Sequence, residues 1–234
     1  MVVSDPDISG PPAGIVEVPD LVREHAGGES LVAIWLNQAD GLTFRGADRF
    51  LKWNPPGSPL DLTAERDRLL WAAARHPVPE VLEFAADERG QLLITRALPG
   101  LSAVDARWLA EPHTAVRAIG EGLRALHEDL AVADCPFGWE PEIPATVPAA
   151  DRVVVCHGDP CAPNTLVSDD GRWSGHVDLG RLGTGDRWVD LAVGSMSLDW
   201  NYGPGFQDDY FAAYGVARDE ERISFYRTLW NASE

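Results

Sequence analysis

The stretch Val155-Cys156-His157-Gly158-Asp159-Pro160-Cys161-Ala162-Pro163-Asn164, followed by His176-Val177-Asp178-Leu179-Gly180-Arg181, decides how the chain is read. Two short apolar runs, 153–156 and 173–177, bracket a polar segment, 157–164, so Asp159, Asn164 and Asp178 fall on loops after predicted strands. Moving a γ-phosphoryl group needs a carboxylate that accepts a hydroxyl proton and oxygen ligands that hold a divalent cation on the phosphates. These three residues supply such parts. An asparagine five residues after the aspartate lets one loop present a base outward and turn an amide oxygen toward a metal, while Asp178 approaches from the next strand end. Singly, each is an ordinary turn or capping residue; the joint spacing carries the signal.

Working outward, residues 31–36, 42–45 and 49–53 read as an antiparallel three-stranded meander with a polar turn at 37–41. The segment 61–75 then has helical recurrence of Leu62, Leu69, Leu70, Ala72 and Ala73, with Asp61 or Thr63 as its cap. His76-Pro77-Val78-Pro79 stops it, and strands follow at 81–85 and 91–95. Beyond Leu98-Pro99-Gly100 the pattern turns helical, most clearly at 114–130, where Val116, Ile119, Leu123, Leu126 and Leu130 share a stripe. The chain is therefore expected to be α+β. It should have a tail and first elements over 1–28, with a loose Pro/Gly cluster at 10–14, a sheet-rich lobe over 29–97, and a helical lobe over 98–234.

Composition bounds the function. With 19 basic and 37 acidic residues among 234, the net charge of −18 repels nucleic acid and anionic lipid and favours cationic ligands. The acidity is concentrated in the helical part, with ten basic against 22 acidic residues over 98–234 and nine against 15 before it. Three cysteines make no disulfide scaffold and suit a reducing compartment. No apolar run approaches the ~20 residues of a membrane span and no secretory leader is legible, so a soluble cytoplasmic protein is expected. Basic residues comprise 18 arginines and one lysine, Lys52. His157 and His176 lack the spacing of a zinc site.

The order H-G-D-x4-N then V-D-L-G-R is similar to the kinase pattern H-R-D-x4-N then D-F-G. More specifically, it resembles the aminoglycoside phosphotransferase family, nearest the 3'-phosphotransferase branch. Further motifs run in the same order: Arg49-Phe50-Leu51-Lys52-Trp53 resembles the lysine strand, and Glu65-Arg66-Asp67-Arg68-Leu69-Leu70-Trp71 the helix whose glutamate pairs with it. Pro77-Val78-Pro79-Glu80-Val81-Leu82 resembles a strand entry, 92–97 the hinge, and 185–192 the helix after the metal aspartate. The resemblance spans about 29–230 and implies a two-lobed protein-kinase-like fold, with a small antiparallel β lobe carrying one helix, a larger mainly helical lobe, and nucleotide between them.

The resemblance also implies roles. Asp159 would be the catalytic base, Asn164 and Asp178 the Mg²⁺ ligands, and Lys52, paired with Glu65, the group that orients the phosphates of ATP or GTP, with Asp67 a rival for that pairing. Thr43 is the candidate hydroxyl of the phosphate loop, a plain hairpin turn being the alternative, and the main chain of Thr95 to Ala97 would meet adenine. His157 would pack beneath the metal loop, Asp190 would hold the catalytic loop from behind, and Cys156 and Cys161 would be inert packing. The implied acceptor is a cationic aminoglycoside whose phosphorylation confers resistance. Relatives bind it through a helical insertion before the catalytic loop, the helix after the metal aspartate and the C-terminus. Here only about a dozen Pro-rich residues separate Trp139 from Val153, so the insertion is missing, and Glu140, Glu142, Asp199 and Glu234 are the remaining carboxylates. Arg181 matches an arginine near the acceptor pocket, or bridges Asp159 or Asp186; Trp188, Trp200, Tyr202 and Phe206 floor the pocket or belong to the core. Two alternatives stay open: a kinase of another small hydroxyl acceptor, and an inactive nucleotide-binding module.

Overall fold

The computed structural model describes residues 10–139 and 147–233. Glu140, Glu142 and Glu234 lie outside the described residues. The chain divides into two compact units, one of residues up to 70 together with 79–97, the other of 71–78 together with 98–234.

The first unit is built on a five-stranded sheet: β1 Val32–Leu36, β2 Leu42–Arg45, β3 Arg49–Asn54, β4 Val81–Asp87 and β5 Gly90–Arg96, in the order β1-β2-β3-β5-β4. All neighbours are antiparallel. The β1–β2 turn is locked by Asn37, whose Oδ1 accepts from the N–H groups of Ala39 and Gly41 at 2.9 and 2.7 Å. Because side chains alternate across a strand, the register places Phe44, Leu51 and Ile94 on one face and Thr43, Lys52 and Leu93 on the other.

Helix α1, Asp20–His25, is an element the sequence does not announce. Its Leu21 and Val22 are buried in one cluster with Phe44, Leu51, Leu92 and Ile94, closing the first face. The start of the chain's described part is also less loose than its Pro/Gly content suggests, since Gly10 exchanges two backbone hydrogen bonds with Leu36. Helix α2, Leu62–Ala72, opens where Asp61 accepts from the Thr63 N–H at 2.9 Å. It stops three residues short of the expected 75, because the N–H groups of Arg75 and His76 both turn back to the Ala72 carbonyl ahead of Pro77.

The second unit holds helices α3 Ala106–Leu109, α4 Pro112–Asp129, α5 Trp188–Tyr202, α6 Gln207–Tyr214 and α7 Glu220–Ser233. Its strands are β6 Leu101–Ser102, β7 Val153–Cys156, β8 Thr165–Val167, β9 Trp173–His176 and β10 Gly183–Asp186. They form two small sheets, β10-β7 and β6-β8-β9. The stripe of α4 faces the core, and Gly120 lets α6 approach so closely that a Cβ there would lie 2.6 Å from the Tyr210 carbonyl oxygen. Residues 188–198 of α5 are buried on every side, which makes this helix the axis of the unit. β10 reads Gly-Thr-Gly-Asp, a poor strand sequence, and exists because it pairs residue by residue with β7.

If α1 is an integral part of the first unit, Leu21→Ala should cost about 2–5 kcal/mol, the usual loss for a fully buried leucine. Urea unfolding of this variant would show that loss; a helix merely resting on the surface would give a change near zero.

Candidate active site

The loop after β7 is fixed from below by a single carboxylate. Asp190, fully buried in the first turn of α5, accepts from the His157 N–H at 2.6 Å and from the Gly158 N–H at 3.0 Å. Its Oδ2 also meets His127 Nε2 at 2.9 Å, and His127 Nδ1 meets the Tyr214 hydroxyl at 2.8 Å. Gly158 has a φ of +84°, and a Cβ on it would stand 2.2 Å from the Arg181 carbonyl oxygen. Only glycine fits where the two loops touch.

His157 ties the loop to the segment beyond β9. Its Nε2 lies 3.0 Å from the Val177 carbonyl and its Nδ1 3.3 Å from the Asp159 N–H, so the neutral ring carries its proton on Nε2. The Val177 N–H in turn donates to the Asn164 carbonyl. The Asn164 amide nitrogen donates to the Asp159 carbonyl at 2.9 Å, which orients the amide oxygen the other way. Asp178 follows with φ +62°, a left-handed backbone that aspartate tolerates better than most residues. These interlocking bonds gather Asp159, Asn164 and Asp178.

Burial pushes the Asp159 carboxyl above its ordinary range, the charge of Asp178 pushes it further, and the Cys161 thiol, His157 and Arg181 oppose the rise. Its Oδ1 is buried without a hydrogen-bond partner. A desolvated oxygen beside a second carboxylate is an expensive arrangement unless a cation or a hydroxyl donor completes it. The residues present thus fit a divalent metal of the oxygen-preferring kind. His127, Cys156 and Asp190 also bring ligand-type atoms within 4.8 Å of one another, but this cluster is buried behind the loop, and its carboxylate is taken up by the loop's own N–H groups.

In the first unit, Lys52 Nζ on β3 donates to Glu65 Oε2 on α2 at 2.8 Å, with Glu65 buried. Asp67 pairs instead with Arg66. Thr43 sits directly opposite Lys52 on β2, on the same face of the sheet.

The description "Phosphotransferase enzyme family" matches this chain over residues 22–145 and 130–226. The chain belongs to that family. Among curated relatives, an aminoglycoside 3'-phosphotransferase of Streptomyces fradiae is 34% identical over 220 residues, covering 75% of this chain and 81% of the relative. A streptomycin 3''-kinase of Streptomyces griseus is 34% identical over 251 residues, covering 86% and 92%. Among solved structures, an aminoglycoside phosphotransferase from Streptomyces rimosus, in complex with ADP and streptomycin, has a TM-score of 0.75 at 27% identity, covering 92% of this chain and 96% of that one. The protein is a phosphotransferase with an alcohol acceptor on a two-lobed, protein-kinase-like fold, with a small β lobe and a larger helical one. Its expected resemblance to the aminoglycoside 3'-phosphotransferases stands.

Several residues of the phosphotransferase sit differently from expectation. Arg181 bridges neither Asp159 nor Asp186: its guanidinium stacks on Trp230 at 5.1 Å, and Asp186 is taken by Arg222 at 3.0 Å and the Tyr226 hydroxyl. Asp199 accepts through Oδ2 from Gln207 at 2.7 Å and faces Arg227 at 3.8 Å, and its side chain stays partly exposed. Trp188 is core, Tyr202 and Phe206 pack against that core, and Trp200 is exposed. At the hinge, the Ala97 N–H donates to the Asp48 carbonyl at 2.8 Å and the Arg96 N–H to Glu80. His176 is buried, bonded through Nδ1 to His76 Nε2 at 2.9 Å, and burial holds it well below the ordinary histidine range, as befits a neutral packing residue. Sequence reasoning overlooked His127, Tyr214 and the contact of Cys161 with Asp159. The one signal for His127 was its place at the end of the α4 stripe.

The raised Asp159 carboxyl makes a stability prediction. Below the unfolded value near 4 both states bind the proton and burial of the neutral acid costs little; as pH rises through the higher folded value, the buried carboxylate destabilises the fold. Asp159→Asn should therefore raise the melting temperature at pH 7, and the gain should shrink toward zero as pH falls to about 4. A gain over the wild type no larger at pH 7 than at pH 4 would contradict the burial of this charge.

Proposed function

We propose that this phosphotransferase moves the γ-phosphate of ATP or GTP to a hydroxyl of an aminoglycoside in a Mg²⁺-dependent reaction, and thereby confers resistance to it. The observation that carries the reading is the desolvated Asp159 oxygen beside Asp178, on a loop clamped by Asp190, in a chain whose relatives include aminoglycoside and streptomycin kinases. The charge of −18 suits a polycationic acceptor.

In this mechanism Asp159 accepts the acceptor's hydroxyl proton and positions its oxygen; burial raises the basicity of the carboxylate. Asn164 and Asp178 would hold the metal, which would neutralise charge on the phosphate oxygens. Lys52, held in place by Glu65, aligns the phosphates, and the Thr43 hydroxyl lies beside it. Adenine would meet the main chain of Thr95 to Ala97, where the Ala97 N–H already donates to the Asp48 carbonyl. Arg181, whose guanidinium lies over Trp230, would stand near the acceptor pocket.

A second reading, a kinase of a different small cationic acceptor, is favoured by one feature. The family match falls in two pieces that overlap at 130–145, beside the stretch where only about a dozen residues separate Trp139 from Val153. Release of nucleoside diphosphate from ATP and from GTP with Mg²⁺, across a panel of aminoglycosides, separates the readings. Release dependent on an aminoglycoside supports the first; silence across the panel with nucleotide still bound supports the second or an inactive module. Asp159→Asn should lower turnover at least ~100-fold with nucleotide affinity retained, and unchanged turnover would remove Asp159 as base. Lys52→Ala should raise the nucleotide KM by about tenfold or more, as expected for loss of a charge-assisted phosphate contact.

A further inference from the structure

On a chain with twice as many acidic as basic residues, three arginines converge on one small pocket of the helical unit. Arg124 and Glu128 come from the last turns of α4, Arg152 and Arg187 from the residues just before β7 and α5, and Tyr214 and Gly215 from the end of α6. The pocket measures 160 Å³, room for a group of roughly five heavy atoms at the ~30 Å³ that a water occupies. His127 forms its floor.

The charges are unevenly compensated. Arg187 is paired with Asp151, but among the described residues no carboxylate lies within ion-pair distance of Arg124 or Arg152. The Arg124 guanidinium comes within 3.8 Å of where a Cβ on Gly215 would stand, so the absence of a side chain there keeps the mouth open. The positive charges of Arg187 and Arg152 both act on the Tyr214 hydroxyl, against the burial that raises it. Glu128 is the one acidic group in the lining, on the exposed rim.

We infer that this pocket is a second binding site, for a phosphoryl oxyanion, held by Arg124, Arg152 and Arg187 over Tyr214. Planar guanidinium forks match the spacing of phosphate oxygens, and three of them around a cavity of this size suit a compact oxyanion. The Tyr214 hydroxyl proton is committed to His127 Nδ1, because His127 uses Nε2–H on Asp190; the site therefore offers guanidinium donors to an acceptor-only ligand. The same chain, Tyr214 to His127 to Asp190 to the N–H groups of His157 and Gly158, runs from the pocket to the catalytic loop.

The test is isothermal titration of the full chain with inorganic phosphate at low ionic strength and without nucleotide. Saturable binding should persist in Lys52→Ala, which disables the nucleotide-phosphate contact, and should weaken at least about tenfold in the double variant Arg124→Ala/Arg152→Ala. Thermal melting of the double variant checks that these exposed substitutions leave the fold intact, and Arg124→Lys/Arg152→Lys, which keeps the charge but loses the forks, should recover part of the affinity. No binding by the wild type, binding that follows Lys52, or equal affinity in the double variant would overturn the assignment.

Discussion

The Asp190 carboxylate accepts from two consecutive backbone N–H groups, those of His157 and Gly158, and from the His127 ring, all away from water. Hydrogen bonds to a charged group contribute about 1.5–3 kcal/mol each, and leaving a buried N–H unsatisfied costs a similar amount. A short loop of proline, glycine and polar residues has little hydrophobic burial to hold it in one conformation. Its shape comes from this anchor, and the anchor in turn depends on α5 being buried all round, so that Asp190 cannot relax toward solvent.

The rest of the site is arranged around that fixed point. His157 spans to Val177, Val177 reaches back to Asn164, and Asn164 closes on Asp159, so the loop and the segment carrying Asp178 form one hydrogen-bonded body. The consequence is a carboxylate oxygen held buried and unsatisfied next to a second carboxylate, an arrangement that lowers stability and raises basicity together. In the first unit the same economy appears at Lys52, whose ammonium is oriented by a buried Glu65 instead of being left to sample solvent.

Much of this was legible in the sequence, for identifiable reasons. Asn37 and Gly46 mark the ends of β1 and β2 and Gly90 the turn into β5; α4 carries a clean apolar stripe; Asp159, Asn164 and Asp178 stand at a spacing that ordinary loops rarely share. What escaped was set by tertiary context. α1 has two buried side chains in six residues, too few to make a period. β10 is a strand only because β7 lies beside it. α5, buried on every face, has no stripe to show, and only the resemblance at 185–192 pointed to it. Nothing in the local sequence places Gln207 and Arg227 against Asp199. Arg181 likewise found an aromatic face on α7 that no spacing rule connects to it.

Asp190 sets the conformation of the loop after β7. Amide hydrogen exchange at His157 and Gly158, compared between the wild type and Asp190→Ala, tests it most directly. Both amides should exchange as slowly as the core of α5 in the wild type and at least ~100-fold faster in the variant, while strand amides of β3 and β5 keep their protection. Rapid exchange of the two amides in the wild type, or protection that survives loss of the Asp190 carboxylate, would contradict the claim.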